Sequence, residues 1–130
     1  MTENQDIPLR VLVVDDNQDA ALTLAEVLKA AGYHVETCFD ARAAVTAAEY
    51  FKPDACVLDI NMPGMNGYEL AQCLRGDKQQ RRRVLVTVTA YEGYAHLTRA
   101  ADSGFDLHFT KPADPTELID QLGDCLRNRT

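Results

Sequence analysis

The sequence lacks any apolar run long enough to cross a membrane. Its longest apolar runs, such as residues 11–14, are far shorter than the roughly 18 residues that a membrane-spanning helix needs. The first ten residues also lack a basic patch followed by an apolar stretch, so no signal peptide is visible. These absences predict a cytoplasmic protein with no membrane span.

Cysteine is scarce and shows no pairing pattern. Cys38, Cys56, Cys73 and Cys125 form no CxxC pair, and no histidine stands at metal-ligand spacing from them. Each lies in a stretch with a strand or helix pattern, so we interpret all four as buried free thiols. The sequence therefore indicates neither a zinc site nor a disulfide framework.

Basic residues are outnumbered. The 13 Lys and Arg residues face 20 Asp and Glu residues, which gives a formal net charge of −7. This balance argues against direct binding of nucleic acid, and it favours a solvated loop over a docking patch for the arginines at 81–83. With 130 residues, 46% of them hydrophobic, we expect one soluble domain over 1–130, its core at about 9–128, and no output domain.

Short apolar runs alternate with longer helical patterns along the chain. The pattern predicts strands at 9–14, 34–39, 55–58, 84–88 and 105–109, and helices at 18–31, 41–51, 66–76, 92–102 and 115–127. A series of β-α units predicts a parallel sheet with helices on both faces. We therefore expect a doubly wound, flavodoxin-like α/β domain of (βα)5 type with a five-stranded parallel sheet.

Polar side chains follow most of the predicted strands. Asp15 and Asp16 follow strand one, Asp59 follows strand three, Thr89 follows strand four and Lys111 follows strand five. In open parallel sheets, ligands bind at the carboxyl ends of the strands, where the strand order reverses. Strand two delivers no such polar group, and strand order 2-1-3-4-5 places it at an edge of the sheet. The same order brings the three aspartates together.

This set of side chains suits phosphoryl chemistry. Clustered carboxylates repel one another, which calls for raised pKa values or a bound cation, and Mg²⁺ is the cation that suits hard oxygen ligands with few protein contacts. Lys111 and Thr89 add a positive charge and a hydroxyl donor, which complete a cradle for a transferred phosphoryl group. Asp59 is the natural nucleophile and would form an acyl phosphate.

Specific motifs then point to a family. RVLVVDD at 10–16, LDINMPGMNG at 58–67, Thr89 with Ala90, and Lys111 with Pro112 occur in the order and spacing of the receiver domain of two-component response regulators. The chain resembles that family over nearly its whole length. The resemblance implies that Asp59 accepts a phosphoryl group from a phosphohistidine of a sensor kinase or histidine phosphotransfer domain, and that Thr89 and Lys111 bind phosphoryl oxygens.

The resemblance also implies a metal site and a particular peptide bond. Mg²⁺ would be held by Asp16, Asp59 and the backbone carbonyl of Asn61, with Asp15 in contact through water. The bond that precedes Pro112 would be cis. The chain would act as a switch that catalyses its own phosphorylation and dephosphorylation and is not a turnover enzyme.

One position departs from the family pattern. Three residues before the lysine, where the family usually has Tyr or Phe, this chain has His108. Period-two alternation places Phe105, Leu107 and Phe109 on one side of strand five and His108 on the other, towards the helix predicted at 92–102. In the family that it resembles, an aromatic ring at this position turns inward on phosphorylation, which implies that His108 takes part in switching; the alternative is that His108 stays at the surface as a bystander. The segment 103–112 resembles receivers attached to hybrid sensor kinases, so both a free-standing regulator and a kinase module are open origins.

Two other functions use the same architecture. A haloacid-dehalogenase-like phosphatase also has an aspartyl nucleophile and Mg²⁺, but it needs a second acid two residues later, where this chain has Asn61. A flavodoxin-like binding protein would need a phosphate-binding loop after strand one, and DDNQDA repels phosphate in the absence of metal. A phosphorylation-operated switch is therefore the leading hypothesis.

Overall fold

The computed structural model describes residues 8–59, 67–75, 82–89 and 104–129. Within these ranges, strands and helices follow one another as the sequence predicts, and the helix predicted at 92–102 lies outside them. The bounds are β1 Arg10–Val14, α1 Gln18–Ala30, β2 His34–Cys38, α2 Ala41–Phe51, β3 Ala55–Leu58, α3 Gly67–Leu74, β4 Val84–Thr89, β5 Leu107–Thr110 and α4 Pro115–Asn128.

The strands form one parallel sheet in the order β2-β1-β3-β4-β5. The predicted strand order is thus confirmed, and the reversal falls between β1 and β3. Val14 at the end of β1 is aligned with Leu58 at the end of β3, so the residues that follow both strands emerge side by side. None of the described helices is long and apolar enough to pass through a bilayer.

The core has two layers, one on each face of the sheet. Alternation along β1 sends Val11 and Val13 into the layer under α1 and α4, and Leu12 and Val14 into the layer under α2 and α3. All four side chains are buried. This burial on both faces explains why the central strands read as continuous apolar runs.

Side-chain caps fix where the helices begin. Asn17 accepts a hydrogen bond from the Ala20 N–H at 3.1 Å, and Asp40 accepts one from the Ala43 N–H at 2.7 Å. Asp114 caps α4, which has proline in its first turn as the sequence predicts. Because Asn17 begins α1 directly after the two aspartates, the cap also sets the path of the chain at the carboxyl edge of the sheet.

The start of strand five differs from the prediction. Gly104 has φ of +91° and Asp106 lies in a bend, so β5 begins only at Leu107. Leu107 and Phe109 lie on one side of the sheet, as predicted, and pack in the α1–α4 layer. Phe105 packs in the other layer, 6.4 Å from the ring of Tyr68. The predicted placement of Phe105 was wrong because period-two alternation holds only inside the strand.

Arg83 is buried, which contradicts its interpretation as part of a solvated loop. Its guanidinium donates hydrogen bonds to the carbonyl oxygens of Pro53, Leu74 and Ala48, and its exposed fraction is 6%. It thereby satisfies carbonyl groups in the last turns of α2 and α3. Arg82 is exposed, as predicted, and forms an ion pair with Asp106.

The cysteines are free, and their burial differs from one to the next. Burial raises the pKa of Cys38 to about 11 and that of Cys56 to about 12, as expected for thiols in a strand core. Cys125 is half-buried, and Cys73 is exposed. The prediction of burial was wrong for Cys73 because Leu70 and Leu74 define the inward side of α3 and Cys73 lies off it.

Candidate functional site

Three carboxylates meet at the carboxyl edge of the sheet, as predicted. Asp15 and Asp16 follow β1, and Asp59 follows β3. One carboxylate oxygen from each lies within 4.8 Å of the others. Asp15 and Asp59 have only 12% and 11% of their side chains exposed, whereas Asp16 is exposed to solvent. The site is therefore a partly buried acidic cluster with one side open.

Backbone hydrogen bonds hold two of these aspartates in position. The Asp15 N–H donates to the Cys38 carbonyl at 3.1 Å, and the Asp59 N–H donates to the Val14 carbonyl at 3.0 Å. Both bonds continue the sheet ladder one residue beyond the strands. Asp15 also accepts a hydrogen bond from the Asn17 N–H at 3.0 Å. The two carboxylates are thus fixed by rigid neighbours rather than carried on a free loop.

Lys111 supplies the positive charge that the sequence predicts. Its Nζ donates to Asp15 Oδ2 at 3.2 Å and lies 3.7 Å from Asp59 Oδ2. Burial lowers the pKa of Lys111, but the charges of Asp59 and Asp15 and their hydrogen bonds with Lys111 together raise the pKa by more, so it is raised overall. The lysine therefore stays protonated and is shared between the two buried carboxylates.

The donor set fits a hard divalent cation. Three carboxylates and one ammonium group leave a formal charge of −2, and the available donors are all oxygen atoms. Oxygen donors with a few protein contacts are the usual environment of Mg²⁺, which keeps part of its water shell. Asp15, Asp16 and Asp59 are the described residues that could hold the ion.

A cavity of about 740 Å³ adjoins this cluster. It runs between α1 and α4, and Asp15, Asp59 and Lys111 form its charged end. Its walls are largely apolar and include Leu24 and Leu118. The Asp59 carboxylate therefore borders an open space, which the sequence did not reveal because the wall residues come from helices far apart in the chain.

The remaining predicted site residues are described to different extents. Thr89 ends β4 beside Thr110 of β5, so its backbone reaches the same edge of the sheet; its side chain is outside the described atoms. Asn61 lies outside the described residues. The peptide bond that joins Lys111 to Pro112 is cis, as the resemblance implies. His108 lies within β5, which β4 separates from β3 and the acidic cluster.

Comparison with known proteins identifies the family. The family model of the response regulator receiver domain matches residues 11–123. The chain is 34% identical over 122 residues to protein RcaC of Microchaete diplosiphon, a match that covers 94% of this chain and 19% of that protein. It is 34% identical over 118 residues to the DNA-binding response regulator MtrA of Mycobacterium tuberculosis, covering 91% of this chain and 50% of that protein.

Solved structures agree with these relatives. The chemotaxis response regulator CheY4 of Vibrio cholerae superimposes with a TM-score of 0.83 and 28% identity, covering 91% of this chain and 98% of that one. The chain therefore belongs to the response regulator receiver domain family. This class consists of phosphorylation-operated signalling switches of two-component systems, and none of the comparisons supports the phosphatase or flavodoxin alternatives. The chain spans half or less of the length of the curated relatives named here.

Proposed function

We propose that Asp59 is the phosphoacceptor of this receiver domain and forms 4-aspartylphosphate. The supporting observation is the position of Asp59: it shares Lys111 with Asp15, belongs to the three-carboxylate cluster and borders the open cavity. In the proposed step, an Asp59 carboxylate oxygen attacks phosphorus and the bond from phosphorus to a donor imidazole nitrogen breaks. The imidazole then takes up a proton as it leaves.

The cation-binding residues have a defined task in this proposal. Asp16 and Asp59, with the backbone carbonyl of Asn61, would hold Mg²⁺, and Asp15 would contact it through water. When bound, the ion would neutralise part of the negative charge that builds up on the phosphoryl oxygens. Asp16 suits the role because its carboxylate is exposed and has no ion pair among the described residues.

Lys111 and Thr89 would bind the phosphoryl oxygens after transfer. Lys111 already holds its charge 3.7 Å from Asp59, and Thr89 ends the neighbouring strand β4. A phosphoryl group on Asp59 brings new anionic oxygens, which compete with Asp15 for Lys111. This competition transmits the covalent change to β4 and β5 and makes the domain a switch that catalyses its own phosphorylation and dephosphorylation.

The partners and setting of the domain follow from this role. The phosphodonor would be a histidine kinase or a histidine phosphotransfer domain. The receiver domain would consist of about residues 9–128 and would act in the cytoplasm. The net charge of −7 argues against direct nucleic-acid binding by these residues. The output partner would be a protein that reads the switched surface.

A labelling experiment tests the assignment of Asp59. The wild-type chain is incubated with Mg²⁺ and acetyl phosphate, and the adduct is located by mass spectrometry. Asp59→Asn should lose labelling almost completely, because an amide oxygen is a far weaker nucleophile than a carboxylate. Asp40→Asn is the matched control, since it changes an aspartate that only caps α2.

Two outcomes would contradict the proposal. Labelling of Asp59→Asn at the wild-type level would place the phosphoryl group on another residue. Equal labelling in the presence of excess EDTA would show that the cation is not needed.

A further inference from the structure

Thr87 is a buried polar residue in the centre of β4. Its exposed fraction is 0%, and its Oγ1 makes no hydrogen bond with any described residue. A buried hydroxyl without a partner is costly, so such groups are retained where another state of the protein uses them or where packing requires the shape. The cost makes Thr87 a candidate for a role in switching.

Strand alternation shows which way Thr87 points. In β4, Val84 and Val86 lie in the α1–α4 layer and Leu85 in the α2–α3 layer, so Thr87 faces the α2–α3 side. In β5, Phe109 lies in the α1–α4 layer, so its neighbour His108 also faces the α2–α3 side. Both polar side chains therefore leave the sheet on the same face.

The register places these two residues directly beside each other. Thr87 is the aligned partner of His108 in the parallel β4–β5 pair. Neighbouring strands are about 4.8 Å apart, and aligned side chains on one face start at about that separation. The Nδ1 atom of His108 is bonded to Cγ, the ring carbon nearest the backbone, and is buried in this structure. From this starting separation, a hydrogen bond between Nδ1 and Thr87 Oγ1 requires a change of side-chain rotamer and no change of register.

Both residues are connected to the phosphoryl site through short pieces of strand. Thr87 precedes Thr89, the last residue of β4, by two residues, and His108 precedes Lys111 by three residues. A phosphoryl group on Asp59 draws new contacts from the carboxyl ends of β4 and β5, where Lys111 now pairs with Asp15 and Asp59. A shift of these ends changes the relation between the two aligned side chains.

We propose that Thr87 is a positioning residue of the switch, whose hydroxyl hydrogen-bonds to Nδ1 of His108 in the phosphorylated state. This inference rests on the proposed function of Asp59. A threonine hydroxyl can both donate and accept, so it pairs with either tautomer of a neutral imidazole. The bond holds the imidazole against β4 and couples its position to phosphorylation. Thr87 is thus buried without a described partner in one state and paired in the other.

A switching role for Thr87 affects the resting and the switched state differently, whereas a packing role affects both alike. Thr87→Val removes the hydroxyl and keeps the branched shape, so the resting protein should be as stable as wild type or more stable. The same variant should bind the phosphoryl analogue beryllofluoride, with Mg²⁺ present, about fivefold more weakly, because one hydrogen bond of the switched state is lost. Thr87→Ser keeps the hydroxyl and should retain wild-type affinity.

Nitrogen-15 NMR of the histidine rings provides the direct readout. The chain has three histidines, so the His108 ring can be assigned by substitution. In wild type, beryllofluoride with Mg²⁺ should shift the Nδ1 signal of His108 to the range of a hydrogen-bonded nitrogen; in Thr87→Val it should not. In a His108→Phe background, Thr87→Val should leave the affinity for beryllofluoride unchanged.

The outcomes separate this inference from the proposed function. If wild type shows backbone shifts around Asp59 but the Nδ1 signal responds equally in wild type and Thr87→Val, the inference is overturned alone. A loss of affinity in Thr87→Val that persists in the His108→Phe background overturns it as well. If beryllofluoride causes no shift around Asp59 in wild type, the proposed function fails, and the inference fails with it.

Discussion

At the scale of single residues, aspartate has different tasks that its surroundings decide. Asp15 and Asp59 share Lys111 at the carboxyl edge of the sheet, whereas Asp54 and Asp106 pair with arginines at the opposite edge. The first two are predictable from the sequence because each directly follows an apolar strand. The other two pair with residues far along the chain, and no local pattern records such a pairing.

Lys111 should weaken cation binding in the resting state. Its ammonium group lies close to two of the three carboxylates that would hold Mg²⁺, and it repels a cation placed there. Lys111→Met should therefore bind Mg²⁺ more tightly, by about three- to tenfold, measured by calorimetric titration. Lys29→Met, which removes an exposed lysine paired with Glu26 on α1, is the control and should leave the affinity unchanged. Weaker binding by Lys111→Met would show that the lysine organises the carboxylates more than it repels the cation.

Cys56 should make the fold less stable in alkaline solution. Burial raises its pKa from the ordinary 9.0 to about 12 in the folded chain. Because the thiol ionises more easily in the unfolded chain, its contribution to the free energy of unfolding is unaffected by pH below pH 9. That contribution falls as the pH rises from 9 towards 12. Cys56→Ala should therefore show a shallower fall of the free energy of unfolding above pH 9, measured by urea titration. Cys73→Ala, at an exposed site, should keep the wild-type slope; equal slopes in wild type and Cys56→Ala would contradict the assignment.

At the scale of elements, the order of the strands was predictable, whereas the contacts between strand ends and the neighbouring helices were not. The order of five strands follows from β-α alternation and from which strand ends carry polar groups. The start of β5 and the burial of Arg83 could not be predicted, because they depend on a bend at Asp106 and on carbonyl oxygens of α2 and α3. The acidic cluster was predictable from strand ends alone, whereas its cavity is formed by side chains from two helices.

The end of α4 should depend on one buried ion pair. The Arg129 side chain is 2% exposed and donates to Asp54 Oδ1 at 2.8 Å, while Asp54 Oδ2 accepts a hydrogen bond from the Arg10 N–H at 2.8 Å. Asp54→Asn leaves the guanidinium buried without its counter-charge, so we expect a loss of about 3 kcal/mol in the free energy of unfolding. Hydrogen exchange should be faster in the last turn of α4 and at the start of β1.

The matched control for this pair lies two residues earlier. Arg127 pairs with Asp124 on the exposed side of α4, where 71% of the arginine side chain is accessible. Arg127→Met should change the free energy of unfolding by less than about 1 kcal/mol. Similar losses in Asp54→Asn and Arg127→Met would show that the buried pair does not anchor the helix.

At the scale of the whole molecule, stability and function meet at the acidic cluster. The chain carries a net charge of −7, and three of its carboxylates are gathered by the fold where the unfolded chain would keep them apart. Folding therefore brings together like charges, and Lys111 offsets only part of the repulsion. A cation that binds the folded chain and not the unfolded one shifts the folding equilibrium by mass action.

Mg²⁺ should consequently raise the melting temperature, and Asp16 should account for most of the rise. At a Mg²⁺ concentration 100 times the Kd, the expected gain is about 2.7 kcal/mol. Asp16→Ala should lose most of this gain, because it removes the exposed carboxylate that completes the cluster while leaving the Lys111 contacts of Asp15 and Asp59 in place. Asp19→Ala, which removes a nearby charge in the first turn of α1 from outside the three-carboxylate cluster, should melt lower and still show the full Mg²⁺ increment. Scanning calorimetry with Mg²⁺ and with EDTA measures both increments, and a full increment in Asp16→Ala would place the cation elsewhere.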